Sequence, residues 1–210
     1  MKRKTSGASP PKRIQGVRPE RRAEAGTVAR ERILRAAARL FRKRGYKSTT
    51  VRDIAKEVGI LSGSLFHHFR TKEEMLLEIM REAALSVCIR AEAVIDRAPS
   101  PVERLRELIR VEIESITGDG SRDYHGVLFF EWREVPEEIK PEFTRLRKRY
   151  HRSWLDVLDC CHAERRLRCE PDAASLILHG ALSSAMTWYV PSGRYSTEEF
   201  GDILAHLVLN

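Results

Sequence analysis

Residues 45–73 read GYKSTTVRDIAKEVGILSGSLFHHFRTKE, and the punctuation of that stretch decides the fold. Thr49 and Thr50 offer hydroxyls suited to capping a helix start, Val51, Ile54, Ala55 and Val58 then recur at helical spacing, and Gly59 stops the run. The spacing predicts a helix of about two turns. Gly59-Ile60-Leu61 makes a brief turn. Ser62 to Phe69 then forms a third short helix, with Leu65 and Phe69 on one side and Gly63, Ser64, His67 and His68 on the other. Upstream, Ile33, Ala37, Leu40 and Phe41 recur at helical spacing from Val28 to Arg44, and Gly45 follows where a left-handed cap fits. Two short helices joined by a tight turn and packed on a longer one form the unit that lays its second helix in the major groove of DNA.

Working outward, Thr71 is an N-cap with Glu74 three residues on. A long helix through Met75, Leu76, Ile79, Ala83 and Val87 runs to about Arg97 and links the two halves of the chain. Pro101, Pro136, Pro141, Pro171 and Pro191 punctuate further helices expected at 100–117, 123–134, 137–166, 171–189 and 197–208. No strand-like alternation competes, so the fold class is all-α, with three domains in order. Residues 1–26 are an expected disordered basic arm, 27–71 a helix-turn-helix unit, and 72–210 a larger helical domain for effector binding and dimerisation.

Composition limits the function. The chain has 210 residues, 42% of them hydrophobic, which suffices for a core, and its formal charge of +8 draws it to polyanions. Up to Ala25 eight basic residues face only Glu20 and Glu24, so six of the eight net charges lie there. That segment has no apolar period and reads either as a solubilising tail or as a DNA-contacting arm. No apolar run reaches the roughly 18 residues of a membrane span and the start lacks a signal-peptide stretch, so a cytoplasmic location is expected and a membrane is not a partner. The scattered Ser, His and Asp show no spacing that joins a nucleophile to a base, which argues against an enzyme. Nor does the basic segment carry the amphipathic face of a membrane-surface protein.

The positions Gly45-Tyr46, Thr49-Thr50-Val51, Asp53-Ile54-Ala55, Val58-Gly59-Ile60, Gly63, Leu65, His67-His68-Phe69 and Lys72-Glu73 fall in register with the DNA-binding domain of TetR-family regulators. The resemblance is close over 28–77; beyond it, the chain is similar to that family in being helical throughout. It implies a transcriptional regulator, with Thr50 and Lys72 on phosphates and Ser62, Gly63, Ser64, His67 and His68 facing the groove. Thr49 and Phe66 complete the expected contact set. The chemistry agrees, since hydroxyls and a cation suit phosphate oxygens while serine and histidine address base edges. Two positions depart from the family. Leu61 stands where a helix-capping serine is common, and Phe66 where a tyrosine hydroxyl usually reaches a phosphate.

In the second half, Phe143, Leu146, Tyr150, Trp154 and Leu158 repeat at three or four residues, an aromatic stripe that either packs a core or lines a pocket. Read as a pocket, with arginines at its mouth, the expected effector-binding residues are Phe130, Arg133, Arg147, Tyr150, Trp154 and Trp188. An apolar cavity with guanidinium groups suits an amphipathic anion such as an acyl-CoA thioester. Shorter runs, including Pro101-Val102-Glu103-Arg104-Leu105 and Trp188-Tyr189-Val190-Pro191, resemble TetR-family repressors of fatty-acid and steroid-ring catabolism, which implies a CoA thioester as effector and repression relieved by it. No cofactor is implied. The helix at 171–189 is apolar nearly all round, so with the helix at 197–208 it is expected to form a two-fold homodimer on operator DNA. Its half-sites would lie roughly 34 Å apart. Cys160, Cys161 and Cys169 leave a thiol-based redox or metal-responsive regulator as the alternative, although adjacent cysteines lack the gapped spacing of a zinc pair, and no metal site is expected.

Overall fold

The computed structural model describes the backbone from residue 19 and the side chains from residue 26 onward. The expected arm at 1–18 lies outside the described residues. Among those described there are nine α-helices and one 3-10 turn, and no strand beyond an isolated bridge between Leu167 and Leu209. In order, the helices are α1 (Pro19–Arg44), α2 (Val51–Val58), α3 (Ser62–Leu65), α4 (Lys72–Arg97), α5 (Pro101–Thr117), α6 (Ser121–Phe130), α7 (Lys140–Ala163), α8 (Pro171–Trp188) and α9 (Thr197–Val208), with the 3-10 turn at Trp132–Glu134.

The helices expected at 123–134 and 137–166 run over Ser121–Phe130 and Lys140–Ala163, and two further expectations are corrected. The first helix begins at Pro19, not Val28, so 19–26 is not a disordered arm. Proline suits the first turn of a helix, and the alanines and glutamates that follow it are strong helix formers. The third helix stops at Leu65, four residues short of Phe69. Residues 66–68 continue as turns, with His68 N to Leu65 O at 2.9 Å and Phe69 N to Leu65 O at 3.1 Å. With Gly63 inside it and no side-chain cap at Leu61, a helix so short has little propensity to extend.

The helix-turn-helix is built as its residues dictate. Thr50 caps α2 in a reciprocal box: its hydroxyl accepts from Asp53 N, and the Asp53 carboxylate accepts from Thr50 N at 2.8 Å. Gly59 then takes φ 78°, a conformation costly for residues with a Cβ, and its N–H and that of Ile60 close the helix on the Ala55 carbonyl. Phe41, Ile54, Leu65 and Phe69 are buried to 1% exposure or less and lock the three helices together.

Two cores hold the chain. The first joins α1–α3 to the opening turns of α4 (Met75, Leu76, Ile79, Met80), to Tyr124 and Val127 of α6, and to Phe143 of α7. The second gathers Leu105, Leu108 and Ile109 of α5, Trp154 and Leu158 of α7, Leu178 and Leu182 of α8, and Phe200 and Leu204 of α9. Position 71/72 is therefore no seam in the packing, because α4 belongs to both cores.

Candidate functional site

Most of the DNA-contact candidates lie at the start of α2, on α3 and in the turn after it. Thr50, Gly63, Phe66 and His67 are exposed, and Ser62, Ser64 and His68 are partly so. Around them Lys43, Arg52, Lys56 and Arg70 are exposed and make no ion pair among the described residues, so the surface is basic. Arg39 and Arg44 are engaged by Glu57 and Asp53, and Lys47 by Glu134.

Two expected contacts are placed differently. Thr49 is fully buried, and its hydroxyl donates to the Gly45 carbonyl at 2.9 Å, so it fixes the turn before α2 and is not a surface contact. Lys72 is half-buried. Its ammonium donates to the carbonyls of Tyr46 and Thr49 at 2.8 and 2.9 Å and lies 4.1 Å from the Tyr46 ring centre. Two of its three donors are thereby used to bind α4 to the α1–α2 turn, leaving one for another acceptor.

The second candidate site is a cavity of about 460 Å³ enclosed by α4, α5, α6, the 3-10 turn, α7 and α8. Ala84, Val87, Ile116, Leu128, Trp132, Phe143, Leu146 and Met186 give it an apolar wall, with Glu112, His125, Tyr150, His179 and Ser183 as its polar members and Arg147 at an exposed position. A cleft of similar size between α1, α4 and α6 is lined largely by charged side chains and lacks such a wall. Of the six expected effector residues, Arg147 and Tyr150 line the cavity; the other four do not. Trp154 is fully buried in the second core, its ring 4.8 Å from that of His179. The aromatic stripe of α7 thus divides, Phe143, Leu146 and Tyr150 meeting the cavity and Trp154 and Leu158 the core. Phe130 and Trp188 are half-exposed at helix ends, and Arg133 is exposed on the 3-10 turn.

The polar set inside is ordered. Tyr150 donates its hydroxyl to the Glu112 carboxylate at 2.6 Å, and burial, with that carboxylate beside it, holds the phenol well above its ordinary pKa. Nδ1 of His125 lies 2.9 Å from the Ser121 carbonyl and Nδ1 of His179 2.9 Å from the Ser175 carbonyl. In each pair Nδ1 donates to the carbonyl, which leaves Nε2 turned away from it. Both Nε2 atoms are buried without a partner in the protein, and burial lowers the pKa of His179, keeping it neutral. The sequence reading missed both histidines and Glu112. Neither histidine belongs to a motif, and the one available signal was their position among apolar helical residues.

The cavity reaches the DNA-binding unit through α6 and the 3-10 turn that follows it. Asp123 takes Arg42 Nε of α1 at 2.5 Å, Glu131 accepts from Tyr46 N at 3.1 Å, and Glu134 pairs with Lys47 at 2.9 Å. Gly126 lies so close to Arg42 that a Cβ there would stand 2.6 Å from Arg42 Cδ. Across the molecule, Arg81 of α4 grips Glu142 of α7 through two hydrogen bonds of 2.6 and 2.9 Å.

The cysteines form no comparable site. Cys160 is exposed, Cys169 intermediate, and burial pushes the Cys161 thiol up to about 11, away from the reactive thiolate. The described residues contain no cluster of three or more His, Cys, Asp or Glu set to hold a metal ion.

Comparison with known proteins agrees with this arrangement. Residues 33–79 match the model for bacterial regulatory proteins of the tetR family, and 98–210 the model for a tetracyclin repressor-like C-terminal domain. The HTH-type transcriptional repressor KstR2 of Mycolicibacterium smegmatis is 33% identical over 184 residues, 86% of this chain and 88% of KstR2. Among solved structures, superantigen PfiT is 38% identical with a TM-score of 0.71, covering 87% of this chain and 96% of its own. Apo AibR is 25% identical with a TM-score of 0.75, covering 86% and 98%, and AibR has also been solved with isovaleryl coenzyme A and operator DNA.

Proposed function

Because the chain belongs to the tetR family and is a DNA-binding transcriptional repressor, not an enzyme, we propose that a small amphipathic effector, best represented by an acyl-CoA thioester, enters the α4–α8 cavity and releases the protein from its operator. The observation that carries this reading is the cavity itself: a largely apolar chamber of about 460 Å³ lined also by a few polar groups and by an exposed arginine. Arg147 makes no ion pair among the described residues, so its guanidinium is free to take a phosphate oxygen while the acyl chain is buried. That AibR was solved with a CoA thioester supports the choice of class.

Operator contact falls to Ser62, Gly63, Ser64, Phe66, His67 and His68, to Thr50 once its hydroxyl turns from the Asp53 carboxylate to a phosphate, and to the one donor that the internal bonds of Lys72 leave. The working unit is a homodimer formed through α8 and α9, located in the cytoplasm. Leu176, Ile177, Ile203 and Leu207 are 75%, 43%, 41% and 50% exposed in the single chain, and a partner copy supplies cover for such an apolar face. Release follows as a population shift: the effector favours a position of α6 and the 3-10 turn in which the clamp on Arg42, Tyr46 and Lys47 no longer holds the two recognition elements at groove spacing.

The test pairs mobility shift with thermal shift, using the intergenic DNA upstream of the gene and a panel of acyl-CoA thioesters that includes isovaleryl-CoA. Specific retardation relieved by one thioester, with a matching rise in melting temperature that Arg147→Ala reduces, is the expected result. Retardation indifferent to every thioester would end the effector assignment while leaving the DNA role intact.

A further inference from the structure

We propose that Leu61 is a specificity residue that reads the C5-methyl group of a thymine in the operator; this rests on the reading that α2 and α3 face DNA. At 79% exposure Leu61 is the most exposed large apolar side chain among the described residues. It occupies the N-cap of α3, where it makes no side-chain hydrogen bond, so the helix starts uncapped. A serine, threonine, asparagine or aspartate at that position would stabilise the start of α3. The chain therefore forgoes local stability to display an isobutyl group next to Ser62, in the turn between α2, which carries exposed Arg52 and Lys56 with no ion pair among the described residues, and the segment that ends at exposed Arg70.

Exposed cations on the same helix-turn-helix fit DNA and no apolar partner. On the major-groove edge the base pairs offer hydrogen-bond donors and acceptors, and one apolar group, the thymine methyl. Leucine can neither donate nor accept, so the methyl is the feature it can select. The surroundings leave room for a close approach, since a Cβ built on Gly63 meets nothing within 4 Å.

The experiment uses an operator selected by the wild-type protein from random duplex DNA, in which each thymidine of a half-site is replaced in turn by deoxyuridine. That change deletes the methyl and nothing else. At one position per half-site the wild type is expected to lose roughly fourfold in affinity, the value of one buried methylene-sized group. Leu61→Ser should bind the thymidine and deoxyuridine forms equally at that position, and should melt at or above the wild-type temperature because it gains a cap. The proposal is overturned if no deoxyuridine weakens wild-type binding by more than twofold, or if the penalty persists in Leu61→Ser. Failure of the underlying reading looks different: Ser62→Ala and His67→Ala would then leave operator affinity unchanged as well.

Discussion

Thr49 and Thr50 carry the same side chain one residue apart in opposite surroundings. Thr50 is exposed and caps α2, whereas Thr49 is fully buried with its hydroxyl on the Gly45 carbonyl. Sequence register places both near DNA, because adjacency along a chain says nothing about which side of a turn faces inward. Replacing Thr49 by Val removes a buried hydroxyl at nearly constant shape, so a loss of about 1 kcal/mol in urea unfolding is expected. Operator affinity of the folded protein should stay within twofold, and a large loss of affinity at unchanged stability would return Thr49 to the DNA surface. His179 supplies a pH prediction. Burial depresses its folded pKa, whereas in the unfolded chain it takes a proton near 6.5. Above that pH both states are neutral and the contribution is complete; as pH falls toward the lower folded value, the unfolded state alone gains the proton and stability is lost. Urea midpoints from pH 7.5 to 5 should therefore fall less steeply in His179→Gln than in the wild type, and parallel slopes would refute the assignment.

At the scale of elements, α6 is the part that touches both sites. His125 lines the cavity, while Asp123 and Gly126, close by on the same helix, meet Arg42 of α1. Gly126→Ala gains helix propensity of roughly 1 kcal/mol, yet its methyl would collide with the mid-chain carbons of Arg42 and drive that side chain off Asp123. Near-wild-type melting with operator affinity reduced several-fold in fluorescence anisotropy is expected; unchanged affinity would mean α6 does not set the position of α1. The helices themselves were legible, since 3.6-residue periodicity, prolines and caps mark α2, α4, α5, α8 and α9 to within one or two residues. The start of α1 was less so, because its first turns carry no apolar period and form through propensity. The cavity was the least legible element of all. Its wall is assembled from one or a few residues on each of six elements, so the stripe on α7 could be seen in sequence but not the point beyond Tyr150 where it turns from cavity into core. Phe130 and Arg133 precede that stripe by ten residues or more and Trp188 ends α8, thirty residues beyond Leu158, so no helical spacing ties them to its wall.

For the whole molecule the governing quantity is how the exposed apolar face of α8 and α9 is covered. Leu176 and Leu207 are 75% and 50% exposed while Leu178 and Leu204, on the same helices, are buried at 0% and 2%, so the two helices are apolar on both sides and the single chain covers only one. In the proposed homodimer, placing like charges there should separate the copies, since each carboxylate introduced by Leu176→Glu and Leu207→Glu would otherwise be desolvated against its partner copy. The intrachain core does not use these side chains, so the double variant should keep its helical circular dichroism. Sedimentation should then give about half the wild-type mass. A monomer reaches one half-site and neutralises about half the phosphates, so the slope of log affinity against log salt should fall to roughly half as well. A variant that stayed dimeric, or a monomer that retained the full salt slope, would place the subunit contact elsewhere on the molecule and remove the geometric basis for two-fold operator reading.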